Sequence, residues 1–195
     1  KFWDDEYRLN ALIANYPKPY IAFMQGFTMG GGVGISCHGS HRIVCDSSKI
    51  SMPECSIGLV PDVGGSFLLS QVPGNLGYYL GLTGTQLNAA DAIFAGFADY
   101  YIPKEEWLTV TEFLEQSGDL SVLQKSSKNP GKSHLAENKN FFDKAFKFRN
   151  LSRVVKFLSN SESHLAQLTL NKIEKNCPLA MTYTIEMISR LSPKS

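Results

Sequence analysis

Three carboxylates and one run of glycines are the residues of this chain with chemistry to offer. Glu6, Glu54 and Asp62 each stand among apolar or glycine-rich neighbours, where a carboxylate is costly unless it is paired, hydrogen-bonded or used. Between the first two lies Gln25-Gly26-Phe27-Thr28-Met29-Gly30-Gly31-Gly32-Val33-Gly34-Ile35-Ser36, an apolar segment running into consecutive glycines and then into a small-residue, helix-compatible stretch. Glycine suits a backbone that takes φ > 0 or lets a ligand come close, and the first N–H groups of a helix have no internal partner. Such a corner can point bare amides at an anion or a developing oxyanion. Close packing of a helix on a strand explains the glycines equally well. A nucleotide phosphate loop is excluded: no Lys-Ser/Thr follows the glycines, and the G-x-G-x-x-G register fails at Ile35 and Cys37.

The elements that must position these groups follow from periodicity. Residues 2 to 16 read as a helix with Phe2, Leu9, Ile13 and Tyr16 on one stripe, and Glu6 falls inside it at 3.6 residues per turn. Pro17 and Pro19 end that helix, and Tyr20 to Met24 is a short buried strand leading to the glycine corner. Gly34 to His38 looks helical; Arg42 to Cys45 and Lys49 to Met52 look like strands. If the pleat continues past Pro53, Ile50, Met52 and Glu54 share one side. Pro61-Asp62-Val63-Gly64-Gly65 is a turn feeding a helix at Ser66 to Leu69, and Asp62 there could simply cap that helix. Helical stretches near 78–82 and 88–95, a strand at 97–102 and a helix at 104–115 follow. Ser117 to Lys139 is polar and rich in Ser, Lys and Asn, a connector or hinge. Beyond it, 141–148, 153–158, 164–175 and 179–191 are helical in pattern. Strands alternating with helices early and helices alone late give an α/β core over 1–116, a connector over 117–139 and a helical C-terminal region over 140–195.

Composition sets the outer limits. At 195 residues the chain is one domain, or one with a helical appendix. No apolar run approaches the length of a membrane span. Lys1 opens it without a signal-peptide pattern, as expected of a piece of a longer chain. Cys37, Cys45, Cys55 and Cys177 show no metal-finger spacing, so free thiols in a reducing compartment are expected and no metal is called for. The net charge of +1 hides an asymmetry. Residues 1–116 hold six Lys/Arg against twelve Asp/Glu, and residues 117–195 hold thirteen against six. The basic second half suits either a solvated helical surface or attraction of a phosphate-bearing ligand or acidic partner. No G-x-S-x-G elbow accompanies His38 and His41, for which ordinary hydrogen bonding is expected.

Taken together, Glu6-Tyr7 with Leu9-Asn10, Lys18-Pro19-Tyr20, Thr28-Met29-Gly30-Gly31-Gly32-Val33-Gly34, His38-Gly39, Met52-Pro53-Glu54, Ile57-Gly58-Leu59, Pro61-Asp62-Val63-Gly64-Gly65, Leu76-Gly77-Tyr78 and Leu82-Thr83-Gly84 resemble the crotonase (enoyl-CoA hydratase/isomerase) superfamily, in its 3-hydroxyisobutyryl-CoA hydrolase branch. The likeness is dense over residues 1 to about 103 and looser beyond. It implies a crotonase-like spiral of ββα-type turns, lacking its N-terminal part, with a helical C-terminal region. Family members carry further residues ahead of the point matching Lys1, among them early strands and the loop that gives the other oxyanion N–H. Carried over by position, the resemblance implies that Gly31 gives one N–H to the oxyanion hole. It makes Glu54 the principal catalytic carboxylate, with Asp62 and Glu6 lining the acyl pocket. Hydratases of this superfamily carry their first catalytic glutamate three residues beyond the oxyanion glycine, where this chain has Gly34, and usually have glycine where it has Asp62.

Hydrolysis of a short β-hydroxyacyl-CoA, with 3-hydroxyisobutyryl-CoA first, is therefore the leading expectation. No cofactor is needed beyond the coenzyme A of the substrate. Self-association is implied by resemblance, and no membrane contact is expected. The compartment would be the cytoplasm in a bacterium or the mitochondrial matrix in a eukaryote. Two alternatives stand beside it: an enoyl-CoA hydratase or isomerase, and a non-catalytic enzyme-derived subunit of a mitochondrial ribosome, the one case in which nucleic acid would be a partner.

Overall fold

The computed structural model describes residues 1–192. Helix α1 (Phe2–Ala14) leads to strand β1 (Ile21–Met24), strand β2 (Phe27–Met29), helix α2 (Gly31–Ser36) and strands β3 (His41–Val44) and β4 (Lys49–Ser51). β1 and β3 pair in parallel, Ile21 opposite His41 and Met24 opposite Val44. β3 then pairs with β5 (Tyr100–Tyr101) to give the order β1-β3-β5. β2 and β4 form a second parallel pair, Phe27 opposite Lys49. Parallel strands need crossovers, and α2 supplies the first, turning the chain from β2 back toward β3 at the glycines.

Helices α3 (Gly65–Gln71), α4 (Leu76–Thr83) and α5 (Ala89–Phe94) follow, then α6 (Trp107–Ser117) after β5. The C-terminal helices are α9 (Lys139–Phe146), α10 (Leu151–Ser159), α11 (His164–Ile173) and α12 (Pro178–Leu191). The main core joins the two parts: Leu69, Leu76 and Leu82 are buried with Phe142, Phe146 and Ile188. α4 lies at its centre, every residue from Leu76 to Thr83 buried, with the Tyr79 ring stacked on Phe142 at 3.9 Å between centroids. A smaller cluster of Ile43, Ile102, Val110 and Leu123 lies on the other side of β3. The mixed α/β architecture expected from the sequence is the one observed, mostly helical with small parallel sheets.

Four local expectations change. The helix after the corner starts at Gly31, three residues before Gly34, because the glycines themselves form its first turn. The strand expected over 97–102 shrinks to Tyr100–Tyr101, since the Phe97 and Ala98 amides turn back to the Ala92 carbonyl. The stretch expected as a connector holds two short helices, α7 (Ser121–Ser126) and α8 (His134–Glu137), each sealed by one apolar side chain, Leu123 and Leu135. In α1 the expected apolar stripe is not the buried one: Phe2, Leu9 and Tyr16 are exposed, and Asn10 and Ile13 are buried. The reason is that α1 packs on α2 through Glu6 and Asn10, against the bare backbone of Gly31 and Gly34.

Candidate active site

The corner is built by Gly30. Its φ of 49° and ψ of −117° are closed to ordinary side chains, and they turn the chain from β2 straight into α2. The Gly30 carbonyl then accepts from the Val33 amide at 2.8 Å and from the Gly34 amide at 3.2 Å. The N–H groups of Gly31 and Gly32 are left with no acceptor among the described residues, as at any first helical turn.

Glu54 comes to this corner from the other side. Pro53 ends β4, so the pleat does not run on, and Glu54 opens a 3₁₀ turn, Glu54–Ile57. The turn still aims the carboxylate inward. Glu54 is 4% exposed, and its Oε1 lies 3.1 Å from the point a Cβ on Gly30 would occupy. Its Oε2 is buried with no hydrogen-bond partner. Burial, with a smaller push from the Asp62 charge and against the pull of its own backbone amide, raises the carboxyl from 4.5 to about 7. A carboxyl poised near neutrality, with Oε2 unbonded and Oε1 against Gly30, is suited to general-base or nucleophilic work.

Asp62 reaches the site by a different contact from the cap that its position suggested. Helix α3 is preceded by Gly64 at φ 76° and has no side-chain cap, whereas the Tyr7 hydroxyl donates to Asp62 Oδ2 at 2.8 Å. Partial burial, that hydrogen bond and the charges of Asp62 and Glu6 push the Tyr7 phenol up to about 12. In an Asp62→Asn variant the Tyr7 phenol is expected to titrate at lower pH than in the parent, read by NMR of labelled tyrosine. An unchanged midpoint would mean that the pair does not form.

Glu6 is half-buried, and its Oε1 stands 2.8 Å from the position of a Gly31 Cβ. The structure thus brings Glu6, Gly31 and Glu54 to one corner, and the Tyr7 contact ties Asp62 to the same end of α1. Beyond that contact opens a cavity of about 600 Å³, lined mainly by apolar groups and bounded by Tyr7, Asn10, Asp62, Phe67 and Met187. Position 34 is closed. A Cβ on Gly34 would stand 2.7 Å from Val63 Cβ and 2.8 Å from Asn10 Nδ2, so a larger residue there has no room.

The sequence assigns no role to Tyr7 or Asn10, which stand in it only within the family-like strings. Asn10 carries a signal in hindsight, lying one helical turn from Glu6 on the same face. Tyr7 carries none, its partner being 55 residues away. The histidines make ordinary hydrogen bonds, His38 Nε2 donating to the Val63 carbonyl at 2.7 Å and His41 Nδ1 lying 2.9 Å from the Ser40 hydroxyl. Among the described residues no group of three His, Cys, Asp or Glu could hold a metal, and no helix is long and apolar enough to cross a membrane.

Residues 1–195 match the sequence model of the enoyl-CoA hydratase/isomerase family. The chain is 33% identical over 205 residues to human mitochondrial 3-hydroxyisobutyryl-CoA hydrolase, an alignment covering 100% of this chain and 53% of the relative. It is also 32% identical over 212 residues to the small ribosomal subunit protein mS47 of Neurospora crassa, covering 97% of this chain and 39% of the relative. Among solved structures, an enoyl-CoA hydratase from Rhodobacter sphaeroides superposes with a TM-score of 0.94 at 44% identity, covering 100% of this chain and 56% of that one. A carnitinyl-CoA dehydratase from Mycobacterium thermoresistibile gives 0.94 at 40% identity, covering 98% and 56%. The chain spans about half the length of the curated hydrolases it matches.

Proposed function

The chain belongs to the enoyl-CoA hydratase/isomerase family, and from that premise we propose that the protein hydrolyses the thioester of a short β-hydroxyacyl-CoA, with 3-hydroxyisobutyryl-CoA as first candidate. The observation that carries this reading is Glu54: buried, without a partner at Oε2, raised to about 7 and set against the glycine corner. The thioester oxygen is received by the Gly31 amide, which meets the negative charge that develops there on attack. Glu54 either takes the proton of a water that adds to the carbonyl carbon, or adds itself to give an acyl-enzyme that water then opens. In both routes the C–S bond breaks and Glu54 must be ionised at the start; in the first the coenzyme A sulfur leaves with the proton that Glu54 took from water, and in the second it leaves as the thiolate and is protonated by solvent. Asp62 and Glu6 line the acyl side. Coenzyme A enters as part of the substrate.

The closed position at Gly34 favours hydrolysis over hydration, because the pair of acids that adds water across a double bond has no place for its first member. Thiol release from 3-hydroxyisobutyryl-CoA by the full-length protein is the test. The expected result is turnover that rises with pH through a midpoint near 7, following Glu54. Loss of enoyl-CoA absorbance without thiol release would support a hydratase instead.

A second reading has its own observation. Residues 117–195 carry thirteen Lys/Arg against six Asp/Glu, which suits a place against RNA, and the relative mS47 is by name a ribosomal protein. Co-purification with ribosomal RNA and no turnover of any acyl-CoA would favour a structural subunit. The compartment that goes with the hydrolase reading is the mitochondrial matrix for a eukaryotic source and the cytoplasm for a bacterial one.

A further inference from the structure

Among the described residues, two side chains hold buried polar atoms with no hydrogen-bond partner: Glu54 through Oε2, and Asn10 through both Nδ2 and Oδ1. Glu54 has its use above. Asn10 is 4% exposed, and an amide buried with neither end bonded is destabilising to the free protein. A hydroxyl can pair with either end of it, donating to Oδ1 or accepting from Nδ2.

Its placement says which hydroxyl. Asn10 stands on the wall of the cavity of about 600 Å³ that Tyr7 and Asp62 also line. Its Nδ2 lies 2.8 Å from the point where a side chain at position 34 would begin. The amide therefore occupies the place that an acid would take in a hydratase, with a group that holds a hydroxyl and takes up no proton. Resting on the hydrolase reading, we infer that Asn10 is the specificity-determining residue that reads the β-hydroxyl of the acyl group. Its Nδ2 donates to that hydroxyl, while the carbon skeleton lies against Phe67 and Met187 in the same cavity. A thioester without the hydroxyl leaves the amide buried and unpaired, which is how a polar site rejects an apolar analogue.

The experiment compares kcat/KM of the full-length protein for 3-hydroxyisobutyryl-CoA and isobutyryl-CoA, which differ in that hydroxyl alone. The wild type is expected to prefer the hydroxylated thioester by about tenfold or more, and Asn10→Leu to lower that ratio by about the same factor. Equal losses on both thioesters, with the ratio as in the wild type, would overturn the inference and leave Asn10 a packing residue or the seat of a trapped water. Should Asn10→Leu fail to fold, Asn10→Ser is read by the same ratio; turnover of both thioesters by the wild type without preference overturns the role of Asn10 while the hydrolase reading stands. No thiol from either thioester removes both.

Discussion

Glu54→Gln is expected to abolish thiol release and, in the same protein, to make the fold more stable at alkaline pH. The activity loss follows from removing the one buried carboxylate at the glycine corner, and should reach about 10³-fold or more in kcat/KM. The stability gain follows from linkage. The folded carboxyl titrates at about 7 against an ordinary 4.5, so between those values the native state holds a proton that the unfolded chain has lost. Stability is therefore highest below 4.5 and falls as pH rises through 7, where the charged form must be carried inside. Glutamine is never charged, so the variant should gain on the order of 3 kcal/mol over the parent at pH 8 and little at pH 4. Urea unfolding at the two pH values measures it. An equal difference at both would mean that Glu54 is ionised without cost in the native state, and the case for a poised base would fail with it.

Gly34→Glu, which restores the residue a hydratase carries, is expected to destabilise the protein without conferring hydration. A Cβ at position 34 meets Val63 Cβ at 2.7 Å and the Asn10 amide at 2.8 Å, and the first of these does not yield easily. Val63 is held at φ 45°, in the left-handed region that β-branched residues avoid, and its carbonyl accepts from His38. Overpacking and a buried charge together should cost on the order of 5 kcal/mol. A well-folded Gly34→Glu protein that hydrates enoyl-CoA would show that the closed position is soft and that the branch assignment rests on one residue.

The parts of this site that could be seen in the sequence were those whose chemistry contradicts their neighbours. Gly30 to Gly32 announced a corner because three glycines break an apolar run, and Glu54 stood out as an acid after Met52-Pro53. Its burial was legible while the path to it was not. Pro53 stops the strand, and a 3₁₀ turn does the aiming that the pleat was expected to do. In α1 hydrophobicity is a poor guide to the buried face. There the buried line is Glu6, Asn10 and Ile13, polar toward the site, while Phe2 and Leu9 stay exposed. Tyr7 could not be paired with Asp62 from sequence, since only the fold brings residues 55 apart into contact. The short helices within 117–139 were hidden for a related reason: one buried leucine in each leaves no periodicity to read.

The measurement that bears most directly on the central claim is thiol release from 3-hydroxyisobutyryl-CoA by the full-length protein, followed from pH 5 to 9. The account predicts a rate that climbs to a plateau with a midpoint near 7, as the buried Glu54 carboxyl loses its proton. A folded protein that releases no thiol at any pH, or a rate flat across that range, would contradict it.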